Sequence, residues 1–154
     1  ILEIIKDIFG TGVIRKKYWF STISHGALRF YAQQFYREKV KILPKSINKW
    51  LSPLAIAIWF MDDGSIKSNR HRGLILNTQS FTKRECQRLV EILRKKFGVE
   101  TKLRPQTRKA EKRYQLYILG VTVKKFVEIV NPYILPSMKY KLGMNLAEIN
   151  KNLP

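Results

Sequence analysis

The stretch Leu54-Ala-Ile-Ala-Ile-Trp-Phe-Met-Asp-Asp-Gly64 decides how the rest of the sequence is interpreted. Its first part is wholly apolar, in a chain in which 27% of the residues are charged, and it ends abruptly in two carboxylates and a glycine. Pro53 precedes it, where the first turn of a helix needs no N–H group, and Gly64 is a residue type that commonly ends helices in the left-handed conformation. The pattern predicts a helix that is buried on every side and carries Asp62 and Asp63 at its C-terminal end.

The two carboxylates at this helix end need an explanation. The unpaired carbonyls there form the negative pole of the helix dipole, so two acids repel the dipole and each other unless a cation lies among them. The alternative is an ordinary helix end followed by an Asp-Gly turn, which is a common turn sequence. The charge of the remaining chain favours the first interpretation.

The composition indicates a folded protein that binds a polyanion. The chain has 154 residues, 45% of them hydrophobic, and its 30 Lys and Arg against 11 Asp and Glu give a formal net charge of +19. Nucleic acid is the first candidate partner, because each neutralised phosphate releases counterions and adds affinity. A membrane surface is the second candidate, but the apolar run 54–61 is too short to span a bilayer, and the basic residues are scattered instead of forming one amphipathic helix. We therefore expect no membrane partner.

Cysteine and histidine usage argues against a disulfide and against a zinc site. Cys86 is the single cysteine, so no intramolecular disulfide is possible and a reducing, intracellular environment is expected. His25 and His71 stand far apart and offer no zinc-ligand spacing. The first residue is Ile1 and not Met, inside a predicted helix, so the chain is expected to be the remainder of something longer.

Helix and strand patterns alternate along the first part of the chain. Residues 1–10 predict a helix, and residues 12–24 predict a β-hairpin. Ser24 is a plausible N-cap for a second helix, which is expected to end near Lys39. An irregular Ile-Leu-Pro segment follows at residues 42–44.

The second part of the chain repeats this order after the central helix. Residues 65–79 read as a strand or turn that runs into a further strand. Thr82 to Glu85 form a capping box that opens a long helix, and Gly98 closes that helix. A second hairpin follows at residues 99–119, and then a helix at residues 122–130 that is capped by Thr122 and stopped by Asn131-Pro132. Another Ile-Leu-Pro segment lies at residues 134–136, and a short C-terminal helix at residues 144–149.

The two parts match each other. Residues 1–10 can be laid on residues 89–98 without a gap, so that Phe9-Gly10 falls on Phe97-Gly98. Each match is followed by a hairpin, a helix and Ile-Leu-Pro, which indicates an internal repeat, although two unrelated α/β pieces are the alternative. The first copy lacks a counterpart of residues 54–88. The predicted units are the C-terminal part of a first repeat plus a linker, residues 1–52, and a complete second repeat with a C-terminal helix, residues 53–154.

Several motifs together are similar to one protein family. The nonapeptide at residues 56–64 keeps the final Asp-Gly of the LAGLIDADG signature, and Asp63 falls on its catalytic acid. Three more motifs match the same family: Leu76-Asn-Thr-Gln-Ser-Phe81, Pro132-Tyr-Ile-Leu-Pro136 and Tyr140-Lys-Leu142. The chain therefore resembles the LAGLIDADG homing endonucleases, and it is closest to the single-chain, two-repeat branch encoded in group I introns, of the yeast mitochondrial omega-intron type. The first half resembles the family only from the second helix of its first repeat onward.

The resemblance implies a fold and a reaction. The fold class is α+β, with tandem αββαββα LAGLIDADG repeats, antiparallel saddle sheets and, here, an incomplete first repeat. In this family the two signature helices pack together, so that one acid from each can hold Mg²⁺ over the scissile phosphates. The metal then lowers the pKa of the attacking water.

By resemblance Asp63 is a catalytic residue and metal ligand. Asp62 stands in the place of the motif's alanine, so it is a candidate metal ligand with an acid of the turn, not touching the metal, as the alternative. Lys141 matches a lysine that looks catalytic in this branch, and Lys41 matches its counterpart in a stretch that differs in length by one residue. For either lysine the alternative is a solvent-facing side chain or one that positions a phosphate.

The resemblance also implies that antiparallel strands lie in the major groove of double-stranded DNA, where alternate side chains reach base edges. By the two-residue period of a strand, Lys102, Arg104 and Gln106 share one face, and Gln115 and Tyr117 share another. The other two hairpins offer similar donors for DNA binding, namely Lys67, Asn69, Arg70, Arg72, Asn77 and Gln79 in one hairpin and Arg15 and Lys17 in the other.

Three functions stay open from the sequence. The first is a site-specific endonuclease that makes double-strand breaks in DNA, the second is a non-cleaving maturase of the same fold that binds intron RNA, and the third is a DNA-binding relative without cleavage. Asp63 favours the first, because a protein that does not cut has no need of a carboxylate that repels phosphate. The absent first acidic helix predicts that an upstream segment or a second chain supplies another acid. The expected location is the compartment of the intron-bearing genome, which is a mitochondrion, a chloroplast or a bacterial cytoplasm.

Overall fold

The computed structural model describes residues 14–15, 20–21, 26–68, 71–108 and 111–143. Its helices are α1 (Gly26–Phe35), α2 (Ile47–Trp50), α3 (Pro53–Asp63), α4 (Lys83–Phe97) and α5 (Gly120–Val130), with 3₁₀-helices at Asn131–Tyr133 and Pro136–Leu142. Its strands are β1 (Ile14–Arg15), β2 (Phe20–Ser21), β3 (Tyr36–Arg37), β4 (Val40–Lys41), β5 (Gly64–Ser68), β6 (His71–Asn77), β7 (Thr101–Arg108) and β8 (Glu111–Ile118). This mixture of helices and antiparallel strands confirms the predicted α+β class.

A four-stranded antiparallel sheet forms the framework, in the order β5-β6-β8-β7. Successive side chains of a strand point to opposite faces, and paired residues share a face. The inner face carries leucines such as Leu74, Leu76 and Leu116, which are at most 1% exposed. Helices α4 and α5 contact this sheet, and their apolar residues join the same core. The opposite, outer face of the sheet is therefore left for other contacts.

Helix α3 begins where the sequence predicts. The hydroxyl of Ser52 accepts a hydrogen bond from the N–H of Ala55 at 3.1 Å, and Pro53 occupies the first turn. A proline costs nothing there, because the N–H groups of the first turn have no partner within the helix. The start of α3 is thus specified within a few residues.

Burial of α3 is less complete than predicted. Phe60 is fully buried, with its ring edge to face against Phe126 at a centroid distance of 5.3 Å. Leu54 remains 40% exposed, and Ile58 and Trp59 are only partly buried. The expectation of burial on every side is therefore wrong, because Leu54 is exposed and the core covers Ile58 and Trp59 only in part.

The end of α3 also differs from the prediction. Gly64 has φ −85° and ψ 154°, which is extended backbone and not the left-handed conformation, and it is the first residue of β5. A Cβ at this position would overlap the ring and the carbonyl oxygen of Phe60. The glycine is thus required by close approach, and it lets the helix pass directly into the sheet.

Helix α4 confirms its sequence signals. The hydroxyl of Thr82 accepts from the N–H of Glu85 while the Glu85 carboxylate accepts from the N–H of Thr82, which is the predicted capping box. Gly98 follows the helix with φ 62°, the left-handed conformation predicted for it. Cys86 is fully buried on this helix, and burial raises the pKa of its thiol, which fits a small apolar side chain better than a nucleophile.

Two other predicted helices have different limits. Helix α1 ends at Phe35 and not near Lys39, because Glu38 and Lys39 adopt positive φ angles in the turn between β3 and β4. Helix α5 begins at Gly120, before Thr122, whose hydroxyl instead binds the backbone of Glu100 and Leu119. The predicted helices at residues 1–10 and 144–149 and the N-cap Ser24 lie outside the described residues. None of the described helices is long and apolar enough to cross a bilayer.

Candidate active site and nucleic-acid interface

The C-terminal end of α3 presents two exposed carboxylates, those of Asp62 and Asp63. The last four carbonyls of a helix have no partner within it, yet here each of them accepts a hydrogen bond. The N–H of Gly64 donates to the carbonyl of Phe60. Side chains from elsewhere in the chain satisfy the other three, so the backbone that carries the two acids is fixed on every residue of its last turn.

Lys141 supplies two of these bonds. Its ammonium donates to the carbonyl oxygens of Met61 and Asp62, at 2.5 and 3.2 Å. It comes from the 3₁₀-helix Pro136–Leu142, 80 residues after Met61. A cation at this position opposes the negative pole of the helix and the charge of the two acids. The structure thus places the predicted catalytic lysine beside the acidic residues, bonded to their backbone.

Asn77 supplies the remaining bond. Its Nδ2 donates to the carbonyl oxygen of Asp63 at 2.8 Å. Its Oδ1 accepts from Nε2 of Gln79 at 3.1 Å and from Nε2 of Gln115 at 2.5 Å. Three residues that the sequence marks as base-contacting candidates are therefore bonded to one another at the edge of the acidic site.

Lys41 lies in a different environment. It is the last residue of β4, and its ammonium stands 5.5 Å from the ring centroid of Phe81. With Trp59 and other apolar residues it lines a cavity of about 360 Å³ between the first helices and α3. Its described contacts do not bring it to the two acids.

The described residues contain no cluster of three or more His, Cys, Asp or Glu side chains that could hold a metal by themselves. Asp62 and Asp63 are the acids of this helix end. Mg²⁺ typically takes one or two carboxylates from the protein and completes its shell with water and substrate phosphates. The acid pair fits a metal of that kind and does not fit a closed protein site.

The outer face of the sheet collects the predicted DNA-binding side chains of the second hairpin. The pairing of Lys102 with Tyr117 and of Arg104 with Gln115 places all of these on one face, and Gln106 joins them two residues further on. The expectation that Gln115 and Tyr117 share another face is therefore wrong, because the sequence period does not reveal the register between two strands.

An aromatic ring organises the cations of this outer face. The guanidinium carbon of Arg104 lies 4.3 Å from the ring centroid of Tyr117, and the ammonium of Lys67 lies 5.9 Å from it. The three residues come from β7, β8 and β5, so they lie across the sheet. Such cation–π contacts hold long side chains in place while their donors stay available. The surface is suited to phosphates and to base edges.

The structure describes the other candidate DNA-binding residues to different extents. Arg113 pairs with Gln106 on the outer face, and the sequence analysis missed it, although its two-residue spacing from Gln115 could have indicated it. Arg15 and Arg72 lie in β1 and β6, but their side chains are outside the described part of the chain. The other predicted contacts fall wholly outside the described residues: Lys17, Asn69 and Arg70.

Comparison with known proteins gives consistent matches. The model of the LAGLIDADG DNA endonuclease family matches residues 3–126. Cytochrome b mRNA maturase bI2 of Debaryomyces hansenii is 38% identical over 136 residues, which are 88% of this chain and 50% of that protein. The probable intron-encoded endonuclease 1 of Wickerhamomyces canadensis is 32% identical over 130 residues, which are 81% of this chain and 54% of that protein. The chain thus spans about half the length of these curated relatives.

A solved structure agrees with these sequence matches. The homing endonuclease I-WcaI bound to its DNA recognition sequence superposes with a TM-score of 0.77 and 27% sequence identity. The match covers 94% of this chain and 71% of that chain. The sheet and helices described above therefore form the same fold as that protein.

Proposed function

Because this chain belongs to the LAGLIDADG DNA endonuclease family, we propose that it forms the cleaving and DNA-reading part of a site-specific homing endonuclease. The observation that carries the proposal is the end of α3, where Asp63 is presented on a backbone fixed by Lys141 and Asn77. An exposed carboxylate on a backbone fixed in this way can hold a cation, and that cation would offset the charge of a phosphodiester. The expected location is the compartment that holds the intron-bearing genome.

The reaction would be hydrolysis of a phosphodiester bond. A water oxygen adds to phosphorus and one P–O ester bond breaks; one proton of the water ends on the leaving oxygen, and the other stays on the new phosphate monoester or passes to solvent. Asp63, with Asp62 as a second candidate, would hold a divalent metal such as Mg²⁺, which when bound offsets phosphate charge and acidifies water. The carboxylate of Asp63 would also orient the attacking water.

The two lysines have different proposed parts. The ammonium of Lys141 binds the carbonyls of Met61 and Asp62, and from this position it would stabilise a phosphate that approaches the helix end. Lys41 is proposed as catalytic only through the family resemblance, and its contact with Phe81 gives it no support. A substitution at Lys41 is therefore a weaker test than one at Lys141.

The outer face of the sheet would lie in the major groove. Antiparallel strands fit that groove, and each base pair presents a distinct set of donors and acceptors there. Lys and Arg would fix the register on phosphates or contact guanine, and the amides of glutamine residues would contact adenine. The proposed set on the described side chains is Lys67, Gln79, Lys102, Arg104, Gln106, Gln115 and Tyr117. Asn77 is the exception in this neighbourhood, because both ends of its amide are already bonded within the protein.

The exposed side of α3 supports a further partner. Leu54 is 40% exposed, and Ile58, one turn further along the same side, is only partly buried. We propose that a second helix ending in an acid, from an upstream segment or from another chain, packs against this side. It would bring a second carboxylate next to Asp63, which hydrolysis of both strands requires.

The experiment uses a library of randomised double-stranded DNA. The purified chain is used to select bound sequences, and the selected DNA is then incubated with the chain and Mg²⁺, with and without a co-expressed upstream segment. We expect specific binding by the chain alone and double-strand cleavage only with the added segment. Double-strand cleavage by the chain alone as a monomer would contradict the proposed partner, and the absence of selected sequences would contradict the proposed DNA recognition.

Asp63→Asn tests the acid, and Asp62→Asn is its matched control on the same helix end. Asp63→Asn should abolish cleavage while DNA affinity stays within about twofold of wild type, since the amide has the same shape and lacks the charge that holds the metal. Asp62→Asn should lower cleavage less. Unchanged cleavage by Asp63→Asn would rule out its role.

A maturase is the second candidate function. The specific observation is the 38% identity to the Debaryomyces hansenii maturase, over 88% of this chain. We propose group I intron RNA as its ligand, to be tested by a gel-shift and splicing assay with the intron of the host gene. Asp63→Asn separates the two functions, because splicing should survive the loss of this acid whereas DNA cleavage should not.

A further inference from the structure

The side chain of Asn77 connects the acid of α3 with the outer face of the sheet. Its Nδ2 holds the carbonyl of Asp63, and its Oδ1 receives the amides of Gln79 and Gln115. Gln115 is its cross-strand neighbour on β8, in the same row as Arg104 on β7. One side chain therefore touches the backbone of Asp63 and two glutamines of the proposed recognition set.

The hydrogen bonds fix which way this amide points. The backbone carbonyl of Asp63 can only accept a hydrogen bond, so the end of the Asn77 amide that faces it must be the N–H₂ group. The other end is then the oxygen, which accepts from the amides of Gln79 and Gln115. An aspartate at this position has the same shape but no donor, so it would set an oxygen against that carbonyl.

Asp63 is the last residue of α3 and Gly64 is the first residue of β5, so no helical bond holds the carbonyl between them. The bond from Asn77 is the described contact at that carbonyl. Without this bond the backbone at the junction of α3 and β5 has one fewer contact, and a shift of the Asp63 Cα would carry its carboxylate with it. A change of about 1 Å at a reacting group can cost a large part of the rate.

We propose that Asn77 is a positioning residue, which holds the Asp63 carboxylate in place through its carbonyl and couples that hold to Gln79 and Gln115 on the outer face. The inference rests on the proposed function of Asp63. A DNA base that binds Gln79 or Gln115 would change the hydrogen bonds that Asn77 Oδ1 accepts. Because coupling between two sites is reciprocal, the strength of the bond from Asn77 to the Asp63 carbonyl would then depend on which DNA is bound. Correct DNA and a correctly placed acid would then favour each other.

The test compares Asn77→Ala and Asn77→Asp with wild type, in the assembly that cleaves. At saturating DNA the single-turnover cleavage rate should fall at least about tenfold, which is the loss of one hydrogen bond of ordinary strength expressed as a rate. DNA affinity measured without metal should stay within about twofold. The matched control is Gln87→Ala, which removes an exposed amide of α4 on the other side of the sheet.

Two further readouts do not depend on cleavage. The carbonyl ¹³C chemical shift of Asp63 should move in Asn77→Ala, because it loses its hydrogen bond, and should not move in Gln87→Ala. Ca²⁺ titrated into the protein–DNA complex should bind Asn77→Ala about tenfold more weakly than wild type. A merely structural role would lower the melting temperature without changing the affinity for Ca²⁺.

The outcomes separate the inference from the function on which it rests. If the wild-type chain, together with the segment or chain that supplies the second acid, binds DNA and never cleaves it, the proposed nuclease is contradicted, whatever the variants do. An unchanged Asp63 carbonyl shift, or Ca²⁺ affinity and cleavage rate within twofold of wild type in both Asn77 variants, overturns the positioning role. In Gln115→Ala the rate should fall less than in Asn77→Ala, and the two losses should not add in the double variant, since both act through one amide. Full additivity would overturn the coupling to the outer face.

Discussion

Helices α3 and α4 end in opposite ways. Helix α4 ends with Arg94, Lys95 and Lys96 and then with Gly98, whose N–H donates back to the carbonyls of Arg94 and Leu93. Helix α3 has no basic residue in its last turn, ends in two acids and continues directly into a strand. The first end is satisfied by its own neighbours in sequence. The second is satisfied by Asn77 and Lys141, which lie 14 and 80 residues from their partners.

The difference shows where the chain accepts a local conflict. Acids at the negative pole of a helix repel it, and cations there stabilise it, so α4 follows the electrostatic rule and α3 breaks it. Real proteins break such rules mainly at functional sites and compensate elsewhere. Lys141 is that compensation. Side chains from distant elements complete this helix end, as expected for a site that is assembled from several parts of the chain.

The largest contrast should come from the two glycines that follow these helices. A methyl group at Gly64 would overlap the buried ring and the carbonyl of Phe60, so Gly64→Ala should lower the free energy of unfolding by about 3 kcal/mol. The nearest atoms to a methyl group at Gly98 belong to the flexible side chain of Lys125, which can turn away, so Gly98→Ala should cost about 1 kcal/mol for the left-handed φ. Urea unfolding of both variants measures the difference. Equal losses of stability would contradict the proposed difference, in which Gly64 is required by the close approach of Phe60 and Gly98 by its left-handed φ.

Lys141 gives the next largest effect. Lys141→Met keeps the stem and removes the ammonium, which leaves the carbonyls of Met61 and Asp62 without their donor and the two acids without a neighbouring cation. We expect a loss of about 2 kcal/mol in the free energy of unfolding, as for other hydrogen bonds to charged groups, together with loss of cleavage. Lys139→Met, two residues earlier on the same 3₁₀-helix, is the matched control. A Lys141→Met protein as stable as this control would mean that α3 ends without help.

The same two helices show how far the sequence could predict the fold. Thr82, Glu85 and Gly98 act within a few residues of the backbone groups that they bind, so their pattern predicted both ends of α4 correctly. At Gly64 the pattern gave the correct position of the helix end but the wrong conformation. The reason is that the approach of Phe60 depends on the path of the chain into β5, which no local motif records.

The arrangement of the candidate site residues was predictable to a similar extent. The signature motif indicated Asp63, and the strand period grouped Lys102 with Arg104, as the structure does. It could not place Tyr117 on the same face, because that depends on the register between two strands. Nor could it distinguish an asparagine that contacts a base from one that holds a helix end, since both are polar residues at the end of a strand. Asn77 is that case.

The smallest effect concerns the other end of α4 and is a dependence on pH. Burial raises the pKa of Glu85, but hydrogen bonds from the N–H of Leu43 and from Thr82 outweigh it and leave the pKa below its usual value of 4.5. Because the folded-state pKa is lowered, the stabilisation is present above pH 4.5 and is lost as the pH falls through the folded value. Wild type should therefore lose more stability between about pH 5 and pH 3 than Glu85→Gln does, in thermal unfolding at each pH. The control is Glu91→Gln, which removes an exposed carboxylate of the same helix that makes none of these bonds. If stability depends on pH in the same way in Glu85→Gln and in Glu91→Gln, the charge of Glu85 does not contribute to the bond with Leu43.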